Sequence, residues 1–80
     1  MRILVAEDDL TSRRMLVAVL QKGGYEVIET TNGAEALECL QKSDAPNLAI
    51  LDWMMPVMDG LSVVRRIRET NLPLPPYLIL

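Results

Sequence analysis

Two short apolar runs in this chain end in acid. "ILVAEDD" (Ile3 to Asp9) carries four apolar residues into Glu7, Asp8 and Asp9, and "LAILDWMMPVMDG" (Leu48 to Gly60) carries four into Asp52. Each run reads as a buried strand. A carboxylate at the mouth of such a strand costs desolvation energy unless a positive or hydrogen-bonding group meets it. If the two strands are neighbours, Glu7, Asp8 and Asp52 crowd one small mouth. A hard divalent cation relieves their mutual repulsion, and Mg²⁺ suits a few carboxylates plus waters. A metal beside one free carboxylate makes a phosphoryl-acceptor site, in which the Asp attacks while the cation neutralises charge building on the phosphoryl oxygens. The plainer alternative is that Asp52 only marks where a strand reaches water. Likewise, Glu7, Asp8 and Asp9 can simply begin a helix, where acids suit the dipole. Asp9 is read that way, and Asp8 as a metal ligand.

The elements that must position these residues follow from the apolar pattern. After the strand Ile3–Ala6, residues Leu10–Lys22 read as a helix stopped by Gly23-Gly24. Its second half, Met15 to Leu20, is apolar nearly all round and calls for cover on more than the sheet side. Tyr25–Thr30 is a more polar strand, suited to a sheet edge. "TNGAEALECLQK" is a helix capped by Asn32, with Ala36, Leu37 and Leu40 as its apolar face. Pro46 introduces the strand Leu48–Leu51. Beyond the loop from Asp52 to Asp59, "GLSVVRRIRET" is a helix capped by Asp59 and expected to bury Leu61, Val64 and Ile67. "NLPLPP" is a stiff connector into a fourth buried strand, "YLIL". The order β-α-β-α-β-α-β predicts an α/β fold, an open parallel sheet with helices on both faces and right-handed crossovers. In such a sheet, ligands bind beyond the carboxyl ends of the strands.

Composition narrows the chemistry. The 80 residues, half of them hydrophobic and 24% charged, fit one small globular domain. A net charge of −3 provides no basic field for nucleic acid. No histidine is present, which excludes His-based triads, His-ligated zinc and a phosphohistidine within this chain. Cys39 stands alone, so no internal disulfide forms, and it is read as packing. The N-terminal apolar run is too short for a signal peptide, and no stretch approaches a membrane span. A cytoplasmic location is expected. Trp53 is expected to be a partly exposed neighbour of Asp52, Met54 and Met55 to pack the loop, and Arg65, Arg66 and Arg68 to form a solvated helix face.

"ILVAEDD" and "LDWMMPVMDG" together resemble the receiver domain of two-component response regulators, and the chemotaxis receivers are close in "DW" and in the Met-Pro and Met-Asp-Gly pairs. The resemblance implies a flavodoxin-like sheet of strand order 2-1-3-4-5. It makes Asp52 the phosphoacceptor and Asp8 a direct Mg²⁺ ligand, with Glu7 acting through bound water and the Met54 backbone carbonyl as a further ligand. Met55-Pro56 and Asp59-Gly60 then shape the loop. The implied partners are a sensor histidine kinase or phosphotransfer protein, or a small acyl phosphate as donor, together with an output domain or protein; no nucleic-acid or membrane contact is implied. Such a chain is a self-phosphorylating acceptor rather than a turnover enzyme. Residues 1–80 would be the N-terminal portion of a receiver, lacking the fifth strand and last two helices. The Ser or Thr and the Lys that read out the phosphoryl group in the family are expected beyond Leu80. On that expectation the fourth strand presents an apolar edge through which the chain associates.

Two rival functions are separable. A binding-only receiver fold would not become phosphorylated on Asp52. A phosphohydrolase of the haloacid dehalogenase type would turn over a phosphate monoester, but that class places an acid two residues after the nucleophile, where this chain has Met54.

Overall fold

The computed structural model describes residues 1–69 and, as backbone, residues 77–79. Four strands and three helices alternate as β1 (Arg2–Ala6), α1 (Leu10–Lys22), β2 (Glu26–Thr30), α2 (Gly33–Leu40), β3 (Leu48–Leu51), α3 (Gly60–Glu69) and β4 (Tyr77–Ile79). All pairings are parallel, in the order β2-β1-β3-β4. After β2 the chain crosses back past β1 to add β3, so β1 and β3 lie side by side. The connector expected over residues 71–76 and the last residue of the expected fourth strand, Leu80, lie outside the described residues.

Each helix is set by a local polar signal. The Asp9 carboxylate accepts from the Ser12 N–H at 2.8 Å and opens α1. Past its C-terminus, Gly24 takes φ +91, the left-handed turn a side chain resists, and the Tyr25 N–H donates back to the Leu20 carbonyl at 3.1 Å. The Asn32 side chain accepts from the Glu35 N–H at 2.9 Å, while the Glu35 carboxylate accepts from the N–H and hydroxyl of Thr31. Asp59 caps α3 through the Ser62 N–H at 2.8 Å. These contacts hold the carboxyls of Asp9, Glu35 and Asp59 below the ordinary carboxylate range, because each accepts backbone and hydroxyl donors in its ionised form.

Alternation along the strands divides the core into two layers. Leu4 and Ala6 of β1 join Ala49 and Leu51 of β3 against Ala36 and Leu40 of α2 and Val63 and Ile67 of α3. Ile3 and Val5 point to the opposite face, where α1 packs on β1 and β2 and buries Val17. Helices thus lie on both faces, as the alternating order requires.

Several packing expectations need correction. In α3 the buried residues are Val63 and Ile67; Leu61 is 40% exposed and Val64 partly so. Gly60 sits in the buried first turn, so the inward face passes through positions 60, 63 and 67, one residue away from the expected 61 and 64. The third strand is fully buried only on the α2 and α3 side, through Ala49 and Leu51, while Leu48 and Ile50 on the other are half-buried. The second helix is shorter than expected at both ends, and Tyr25 precedes β2 rather than beginning it. Met15 and Val19 on the outer side of α1 are about two-thirds exposed, at 66% and 67%, in line with a helix apolar nearly all round.

Candidate functional site

Register brings the acids together. Ala6 of β1 is level with Leu51 of β3 and with Thr30 of β2. The ladder then continues one step past the strands. The Asp52 N–H donates to the Ala6 carbonyl at 2.9 Å, and the Glu7 N–H donates to the Thr30 carbonyl at 3.2 Å. Asp52 and Glu7 therefore leave the sheet at the same height, on adjacent strands. Glu7, Asp8 and Asp52 each place a carboxylate oxygen within 4.8 Å of the others, Glu7 and Asp52 half-buried and Asp8 exposed. That is the mouth inferred from the two apolar runs.

The charges in this cluster oppose one another. Burial pushes the Glu7 carboxyl up, and the neighbouring Asp52 carboxylate adds to the rise. The Asp9 N–H, donating to Glu7 Oε2 at 3.4 Å, pulls weakly the other way. Asp52 Oδ1 accepts from the Trp53 N–H at 2.9 Å, which fixes its rotamer while leaving the second oxygen uncommitted to that bond. Three hard oxygen donors of like charge, with water able to reach Asp8, fit the coordination habits of Mg²⁺.

The loop after Asp52 is closed on itself. The Gly60 N–H donates to the Trp53 carbonyl at 3.2 Å, and the Met58 N–H donates to the Pro56 carbonyl at 2.8 Å. Trp53 is 58% exposed beside the acceptor, as expected. Met54 differs from expectation: it is 81% exposed, whereas Met55 and Met58 lean on the core. Cys39 also packs there, and Arg65, Arg66 and Arg68 lie on the exposed side of α3.

One participant escaped the sequence reading. Arg13 of α1, only 13% exposed in its side chain, donates from Nη1 to the Glu7 carbonyl at 2.9 Å and from Nε to Glu29 Oε1 at 3.3 Å. It ties the first helix to the carboxyl ends of β1 and β2, behind the acidic mouth. Its position four residues after Asp9 is the only sequence signal, and that signal is shared by any charged residue on a first helical turn. Thr30, buried, donates its hydroxyl to the Val5 carbonyl at 3.2 Å and steadies the same end of the sheet.

With this geometry in place, similarity to known proteins becomes informative. The sequence profile of the response regulator receiver domain matches residues 3–80. The response regulator receiver protein CpdR of Brucella abortus is 48% identical over 70 residues, which are 88% of this chain and 58% of that protein. The chain thus spans little more than half the length of that relative. Among solved structures, the response regulator TrrA of Thermotoga maritima in complex with Mg²⁺-BeF superposes with a TM-score of 0.80 and 40% identity, covering 88% of this chain and 60% of that one. The complex of the histidine kinase ThkA with TrrA gives 0.81 and 38%, covering 96% and 66%. Among the described residues, no helix is long and apolar enough to cross a membrane. The matched profile covers nearly the whole chain, from the first buried strand onward, and the chain belongs to the response regulator receiver domain family of two-component systems.

Proposed function

We propose that Asp52 accepts a phosphoryl group, with Mg²⁺ held by Asp8 and Asp52 directly, by Glu7 through water and by the Met54 backbone carbonyl. The convergence of Glu7, Asp8 and Asp52 within 4.8 Å at the carboxyl ends of adjacent strands carries this reading. When bound, the cation neutralises charge on the phosphoryl oxygens. The chain's own residues do the rest. The Trp53 N–H holds one Asp52 oxygen, so the other oxygen's lone pair attacks phosphorus. The bond from phosphorus to the donor breaks, the donor leaves with the electron pair, and an aspartyl phosphate remains. Receivers are signalling domains, and one phosphorylation per molecule, without turnover of a phosphate monoester, goes with this role.

The donor proposed is the phosphohistidine of a sensor kinase or phosphotransfer protein, or a small acyl phosphate. The kinase complex of the TrrA relative supports that choice. An output domain or protein reads the phosphorylated state, and a cytoplasmic location follows from the kinase partnership. The outer edge of β4 has no described strand beside it, and we propose that it pairs with another strand, within a longer receiver or in a partner chain. Sedimentation of the protein at micromolar concentration tests the association.

Intact mass after incubation with Mg²⁺ and acetyl phosphate tests the acceptor. A single phosphoryl gain, absent without Mg²⁺ and absent in Asp52→Asn, is expected. A gain that persists in Asp52→Asn would remove the assignment. Binding of Mg²⁺ with no phosphorylation under any donor would favour the binding-only alternative.

A further inference from the structure

Two observations outside the acidic cluster bear on the loop that follows Asp52. The first is a close main-chain approach. A Cβ built on Gly33, the first residue of α2, would overlap the Met58 carbonyl oxygen and lie 2.6 Å from its carbon and 2.9 Å from its Cβ. Nothing but a hydrogen fits between the start of α2 and the acceptor loop. The second is backbone strain. Val57 takes φ +70, a left-handed value that a β-branched residue rarely adopts, and the Met58 N–H closes a three-residue turn around it onto the Pro56 carbonyl. Val57 is 81% exposed, so its side chain buries nothing that would compensate. Such strain persists only where the surroundings over-determine it.

We infer that Gly33 is a positioning residue for the metal-binding loop: its missing side chain is the notch that seats the Met58 carbonyl, and this contact holds the Val57 turn in its strained form. The inference rests on the proposed Mg²⁺ site, since the loop so held carries Asp52 at one end and the Met54 carbonyl two residues on. The chain of contact is short. Asn32 and Thr31 fix where α2 begins, through the Glu35 N–H and the Glu35 carboxylate. Gly33 then abuts Met58, Val57 turns the chain, and the Gly60 N–H on the Trp53 carbonyl closes the loop beside Asp52. An added methyl group at Gly33 has no flexible neighbour to push aside, because the atoms it meets are the Met58 carbonyl and the Cβ fixed to the same backbone. The loop must move instead.

Mg²⁺ titration followed by Trp53 fluorescence, with urea denaturation of the same proteins, tests this. A helix start without a notch predicts that Gly33→Ala leaves stability unchanged or raises it, since Ala is the better helix former. The notch predicts that Gly33→Ala weakens Mg²⁺ binding by about tenfold or more, the usual consequence of losing a group that orients a metal ligand. Met58→Ala on the Gly33→Ala background restores nothing, because the obstruction is the carbonyl. Val57→Pro, which fixes φ near −65°, weakens Mg²⁺ binding without a substitution in α2, while Val57→Gly, which accepts φ +70 freely, binds Mg²⁺ as the wild type does. If Gly33→Ala fails to fold, the two Val57 variants decide. Wild-type Mg²⁺ affinity in a folded Gly33→Ala, or equal affinities in Val57→Pro and Val57→Gly, overturns the inference. Absence of Mg²⁺ binding by the wild type instead overturns the site on which it rests.

Discussion

Replacing Asp52 by Asn should stabilise the metal-free protein and at the same time remove most of its response to Mg²⁺. Asn is nearly isosteric and its carbonyl oxygen still accepts from the Trp53 N–H, so the loop keeps its anchor and chiefly the charge is lost. Asp52 has two carboxylate neighbours, Glu7 and Asp8, with oxygens within 4.8 Å. Two unit charges at that separation repel by about 3.5 kcal/mol at an effective dielectric of ~20 and by about 0.9 kcal/mol at ~80. The cluster is half-exposed, so the lower figure is the better guide, and salt near 0.15 M, with a Debye length of about 8 Å, reduces it again. With two neighbours the net gain should be about 1 kcal/mol. In excess Mg²⁺ the order reverses. A ligand at about 100 times its dissociation constant stabilises the native state by about 2.7 kcal/mol, and the variant, short of one ligand, should lose most of that. Urea denaturation of both proteins with EDTA and with saturating Mg²⁺ gives four midpoints that must cross. If Asp52→Asn is less stable than wild type in EDTA, or gains as much from Mg²⁺, the three carboxylates do not form one electrostatic unit and the reasoning fails.

Three further outcomes are expected. Asp9→Asn keeps the cap on α1 and should leave Mg²⁺ binding nearly unchanged, whereas Asp8→Asn should weaken it severely; equal effects in a Trp53 fluorescence titration would mean a diffuse acidic surface. Val63→Ala, at a fully buried position, should cost about 2 kcal/mol, and Leu61→Ala, 40% exposed, under about 1 kcal/mol, in denaturant midpoints compared at equal slope. Asp59, whose carboxyl is held below its ordinary range by Ser62, adds stability above that range and loses it as pH falls through the depressed value; the difference between wild type and Asp59→Ala should therefore shrink on acidification, and a difference that grows would contradict the cap.

The residue pattern alone fixes the order and type of the elements and the caps of the helices. It can do so because those features are local. Short apolar runs such as Ile3–Ala6 and Leu48–Leu51, bounded by acids and turn residues, read as strands, and Asn32 and Asp59 cap their helices through donors three residues away. Asp9 proved to be a cap, and β2 lies at the edge that its Glu26 and Glu29 suggested. Tertiary structure decided what depends on the angle at which elements meet. The inward face of α3 centres on Val63, with Val64 packing at its border and Leu61 turned to solvent, because packing against α2 sets the helix rotation, and a short helix with several apolar positions allows more than one. Arg13 reaches the Glu7 carbonyl across six residues, and Gly33 meets Met58 across twenty-five, so no spacing rule links either pair. The left-handed turn at Val57 runs against the local preference of its own residue, so no local rule announces it.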